Sequence, residues 1–119
     1  MSEPRISQIL DLSARGKVLN ATGAAALATT LAPGVRFRLH EVRIHLSEAG
    51  ASGNFTATVD AAAGAAYDAV ILTQDMTTIT DLIWQSDRIM QFEAGDEINF
   101  AWANAGTKTY GLTIIYDLL

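Results

Sequence analysis

Two runs near the end of the chain constrain its fold more than any other feature. Ile98, Phe100 and Trp102 alternate with Glu97, Asn99 and Ala101, and Tyr110, Leu112, Ile114 and Tyr116 alternate beyond Asn104-Ala105-Gly106-Thr107. A period of two puts every apolar side chain of such a run on one face, the pattern of a half-buried strand and not of a helix. The intervening Asn and Gly tolerate positive φ, so the two runs are expected to form a β-hairpin with an aromatic inner face. Trp102 and Tyr110 are then core residues.

The same periodicity recurs upstream. Val35, Phe37 and Leu39 alternate with Arg36, Arg38 and His40, but past His40-Glu41 the apolar set becomes Val42, Ile44 and Leu46. A one-residue shift reverses the buried face, so the strand must bulge there or pass from one sheet to another. Phe55 to Val59, Tyr67 to Thr73, Thr77 to Trp84 and Arg88 to Phe92 read as further strands, rich in β-branched and aromatic residues. Gly50-Ala51-Ser52-Gly53, Ala61 to Ala66 with Gly64, and Glu93-Ala94-Gly95-Asp96 supply the connections. Seven or eight short strands with no helix of ordinary length predict an all-β antiparallel sandwich, jelly-roll-like.

Before Pro33-Gly34 the texture differs. Ile6, Ile9 and Leu10 fall at helical spacing, and Ala24 to Ala32 is a low-complexity stretch with a strand expected near Leu27–Leu31. So little apolar volume predicts an extended N-terminal arm over residues 1–34, which gains order by contact, and a sandwich domain over 35–119. Charge follows a related division. Residues 1–43 carry six basic side chains (Arg5, Arg15, Lys17, Arg36, Arg38, Arg43) against three acidic ones, whereas residues 44–119 carry two basic against ten acidic. A basic leading segment on an acidic body suits attraction to an acidic neighbouring subunit, with Arg5, Arg15, Lys17, Arg36 and Arg38 as the expected contacts.

Chemistry of other kinds finds little support. The chain has no cysteine, hence no disulfide and no thiolate metal site. A net charge of −5 disfavours nucleic acid as a partner, and no apolar run approaches the roughly 18 residues that span a membrane. His40 and His45 have no obvious third ligand and read as surface side chains beside Arg38 and Arg43. A facing pair such as Glu41 and Glu97 is what glycoside hydrolysis needs, but nothing in the spacing selects it. No nucleophile, base or cofactor motif emerges, so an enzyme is not expected, and no cofactor or metal is implied. Trp84 is the aromatic residue least tied to a core position, which leaves a carbohydrate-binding surface as an alternative.

The run Phe37-Arg38-Leu39-His40-Glu41-Val42-Arg43-Ile44-His45-Leu46, with Asn54 to Asp60 after it, resembles small virion proteins of tailed phages and prophages. So does the ending from Phe92 to Trp102 with Thr109 to Tyr116. The resemblance covers about residues 17–119 and is one of strand phrasing; it assigns no functional residue. It implies a β-sandwich that decorates a head, binding the major capsid protein or other virion subunits as a homo-oligomer, with a trimer favoured. A tail or baseplate location is the alternative within the same family. Residence in the virion, after synthesis in the host cytoplasm, is the corresponding expectation.

Overall fold

The computed structural model describes residues 15–119, with the side chains of residues 87–89 left aside. Eight strands follow one another: β1 (Lys17–Gly23), β2 (Leu27–Leu31), β3 (Phe37–Leu46), β4 (Asn54–Asp60), β5 (Ala69–Asp75), β6 (Asp81–Phe92), β7 (Glu97–Trp102) and β8 (Tyr110–Leu118). A short 3-10 turn at Ala65–Tyr67 lies between β4 and β5. The strands form two four-stranded antiparallel sheets, ordered β1-β8-β3-β6 and β2-β7-β4-β5.

The order has a simple logic. First pairs with last, second with seventh, third with sixth and fourth with fifth. Alternate rungs of this ribbon fall in opposite sheets, joined there by β3–β8 and β4–β7. Wrapping such a ribbon around one core gives a jelly roll. Each strand supplies one face to the interior: β4, for example, buries Phe55, Ala57 and Val59 and turns Thr56 and Thr58 outward. The core holds Phe37, Leu39, Val42, Ile44 and Leu46 from β3, Ile98, Phe100 and Trp102 from β7, and Leu112 and Ile114 from β8. Phe37 stacks on Phe92 at 5.0 Å between ring centroids, and Phe55 on Phe100 at 6.3 Å.

Three expectations need correction. The two closing runs are not a hairpin, because β7 lies in one sheet and β8 in the other. Alternation fixes which face of a strand is buried, not which strand it pairs with, and Trp102 and Tyr110 reach the same core from opposite sides. Second, residues 17–34 are not an extended arm: β1 pairs with β8 and β2 with β7, so the sandwich begins at Lys17 and not at residue 35. Their small side chains suit edge strands, which need to cover only the margin of the core. The helical spacing at Ile6, Ile9 and Leu10 lies outside the described residues. Third, Arg88–Phe92 is not a separate strand, since β6 runs unbroken from Asp81, and Val35 lies before β3 and is exposed.

The parity flip in β3 is a bulge and not a change of sheet. Between Leu39 and Glu41 the partner β8 advances by a single residue, from Tyr116 to Ile115, so His40 is the extra residue on that side. Over the same interval β6 passes from Met90 to Gln85 and carries the excess itself. An interruption of that kind spoils β6, an edge strand, as a template for further pairing.

The connection between β7 and β8 is held by Asn104, which is 2% exposed and sits at φ 51°. Its Nδ2 donates to the Ala25 carbonyl at 2.9 Å and the Lys108 carbonyl at 2.8 Å, while its Oδ1 accepts from the Lys108 amide at 2.9 Å. The amide thus fastens the β1–β2 turn to the last connection. Asn104→Ala is expected to destabilise the fold by roughly 2–4 kcal/mol, from orphaned backbone groups and a left-handed backbone without Asn to support it. Urea unfolding followed by circular dichroism measures this, and an unchanged midpoint would contradict it.

Candidate docking surface

The bulge gives the outer face of the β1-β8-β3-β6 sheet its character. Leu39 and Val42 both point inward, so the residues between and beside them leave Arg38, His40, Glu41, Arg43 and His45 together on the outside. The two histidines lie on the outer face beside Arg38 and Arg43, as expected, and each also meets a carboxylate. His40 Nε2 lies 2.7 Å from Asp117 Oδ2, and His45 Nδ1 lies 2.5 Å from Asp81 Oδ1. The first pair is half-buried, the second largely exposed.

Asp117 also accepts the Gly16 amide at 2.7 Å, which ties the start of the described chain to β8 and β3 at once. Burial works to raise the Asp117 carboxyl. The His40 and Gly16 hydrogen bonds, with the charges of His40 and Arg15, outweigh it and hold the group below the ordinary carboxylate range. Glu41 is 7% exposed. It accepts from Gln85 Nε2 at 2.6 Å and from Arg43 Nε. The Gln85 bond, then the Arg43 bond and charge, overcome desolvation and lower the Glu41 carboxyl too.

Strand connections place these groups relative to the ends of the sandwich. One end carries the start of β1, the end of β8, the start of β3 and the connections 32–36, 61–68 and 93–96. Arg15, Lys17, Arg36 and Arg38 all lie there, in the sheet of β1, β8 and β3. Lys17 pairs across with Tyr116 and Arg38 with Asp117. The Arg36 carbonyl accepts the Leu119 amide, and its guanidinium lies 3.5 Å from Glu93. Four of the five expected basic contacts, up to 23 residues apart in sequence, are thus gathered at one end; Arg5 lies outside the described residues.

The remaining candidates are not brought together. Trp84 faces inward opposite Val42 and packs against the core. The glycine loop at 50–54 and the turn at 104–107 lie at the end away from the basic residues. Glu41 and Glu97 belong to different sheets. A shallow open trough of about 280 Å³ lies over Gly111, between Asn20, Thr22 and Thr113. Among the described residues no group of three His, Asp or Glu side chains is arranged to hold a metal ion. The carboxylate partners of the histidines, and the Gln85 that meets Glu41, were not readable from sequence: these contacts span 36 to 77 residues. The parity flip was the one signal that pointed to this region.

No protein-family model and no curated protein matches this chain.

Both Asp117 and Glu41 have lowered pKa values in the fold, so each adds stability that is complete above the ordinary carboxylate range and lost as pH falls through the lowered value. Stability is therefore expected to drop as pH falls below about 4. Glu41→Gln should be less stable at neutral pH, with a shallower decline in acid. Urea midpoints measured from neutral to acid pH test this; parallel curves for the two proteins would refute it.

Proposed function

We propose that this chain is a virion structural protein, a head decoration protein that docks on the capsid surface through the basic margin of its β1-β8-β3-β6 sheet. The observation that carries the reading is the gathering of Arg15, Lys17, Arg36 and Arg38 at the end from which residues 1–14 continue. Sequence proximity alone does not require this, because β2 and its connections separate the two pairs and only the pairing of β1 and β3 with β8 reunites them. A cluster of cations fits an acidic partner surface. The resemblance in strand phrasing supports the same class of protein.

Particles assembled with an epitope-tagged chain test the reading by electron microscopy. Gold label on the heads is expected; label on the tail would move the chain to a tail component, and no label on any particle would reject the virion assignment. Binding to purified heads should weaken about tenfold for Lys17→Glu with Arg36→Glu and fall with added salt, since rim charges act through long-range attraction. Salt-independent binding, unchanged in this variant, would exclude the basic margin as the docking surface.

A further inference from the structure

Each four-stranded sheet ends in two edge strands, β1 and β6 in one and β2 and β5 in the other. An edge strand offers unpaired N–H and C=O groups to any extended chain, and folded proteins blunt such edges with bulges, charges or cover. Three of these four edges are blunted. β6 makes its detour between Met90 and Gln85, and β5 carries Ile71 as an extra residue between the partners of Ala57 and Thr58. β1 opens on Lys17. β2 has none of these devices. Leu27-Ala28-Thr29-Thr30-Leu31 contains no charge and no proline, and it keeps register with β7 at every residue. Among the described residues, no backbone group outside β7 hydrogen-bonds to the backbone of β2.

The sequence of β2 reads nearly the same in both directions about Thr29. Placed antiparallel to a second β2, with one Thr29 facing the other, Leu27 meets Leu31, Ala28 meets Thr30, and all five residues are paired. Leu27, Thr29 and Leu31 lie on the inner face and Ala28 and Thr30 on the outer, so this register keeps inner side chains opposite inner ones. Threonine opposite threonine is a favourable cross-strand pair, and no like charges are set in opposition. A twofold axis between the two Thr29 residues generates the arrangement, which is the closed, isologous contact that a strand can make with its own copy. We infer that β2 pairs with β2 of a second copy, joining two β2-β7-β4-β5 sheets into one of eight strands. Five residues a side fall well short of the roughly twenty to thirty of a standard interface, so the dimer is weak. The twofold pair differs from the trimer that the resemblance implies. Because β2 and the basic margin belong to different sheets, the inference goes beyond the docking reading and does not depend on it.

Sedimentation velocity on the whole chain tests the pairing without any capsid. At chain concentrations of about 0.1–1 mM a dimer is expected. No charge lies in the contact, so the association constant should change by less than about threefold between low salt and about 1 M salt. Ala28→Lys with Thr30→Lys sets like charges opposite one another on both sides of the axis and should lower the association constant at least tenfold. Both positions are exposed, so the urea midpoint of this variant should stay near that of the parent. The chain has no cysteine. Thr29→Cys should therefore give a disulfide-linked dimer on mild oxidation, whereas Asn20→Cys, midway along the β1 edge, should not. A parent that stays monomeric at about 1 mM or forms a trimer would overturn the inference. So would a lysine variant that associates as the parent does, or cross-linking through Asn20→Cys and not through Thr29→Cys.

Discussion

The register of the β1-β8-β3-β6 sheet depends on a one-residue offset within its inner strand β3. This strand is paired on both sides, with β8 and β6, and its inner face supplies five of the buried core side chains. Without the extra residue at His40, either Phe37 and Leu39 or Val42, Ile44 and Leu46 would turn to solvent. Exposing two or three such side chains forfeits roughly 1.5–3 kcal/mol each, comparable with the whole stability of a domain this size. The bulge therefore has to be where it is, and neighbouring strands adjust around it: β8 passes it with one step and β6 with a wide detour.

That offset also explains the electrostatics of the outer face. Two consecutive residues, His40 and Glu41, are presented on the same side, which crowds titratable groups beside Arg38 and Arg43. Each carboxylate drawn into the crowd is met by more than one donor. Glu41 takes Gln85 and Arg43, and Asp117 takes His40 and Gly16. Only such multiple contacts make a shielded carboxylate tolerable next to a packed sheet. The opposite sheet shows the converse. Its outer face is lined by Ala28, Thr30, Thr56, Thr58, Asn99 and Ala101, and its acids stand at the strand ends, Asp60 and Glu97 at one end of the sheet and Asp75 at the other.

How much of this could be read in advance follows from the range of each interaction. Burial parity is local, and Phe37, Leu39, Val42, Ile44, Leu46, Trp102 and Leu112 lie where alternation put them. The discontinuity at His40-Glu41 was visible for the same reason, although parity alone does not tell a bulge from a change of sheet. Partner choice is not local. The runs on either side of Asn104 have the period, the turn residues and the aromatic content of a hairpin, yet the seven residues between them span the sandwich from β7 to β8. The strand at Leu27–Leu31 was legible, but its place in the sheet was not, and β1 carries too little apolar volume to announce itself; both find their places because β7 and β8 offer them open edges. The basic residues were legible as composition; their convergence at one margin of the β1-β8-β3-β6 sheet required the topology.

The pairing of first strand with last has a consequence for time as well as space. β1 finds its hydrogen-bonding partners in residues about ninety positions away, and the Asn104 amide that steadies the β1–β2 turn is supplied by the last connection. A growing chain that has exposed only its first hundred residues has made neither, so its leading strand waits with one apolar margin uncovered. Contacts of such long range place the fold among the slower topologies. The alanine, threonine and asparagine content of that waiting segment then has a merit unrelated to the finished core: it leaves little for a neighbouring nascent chain to stick to.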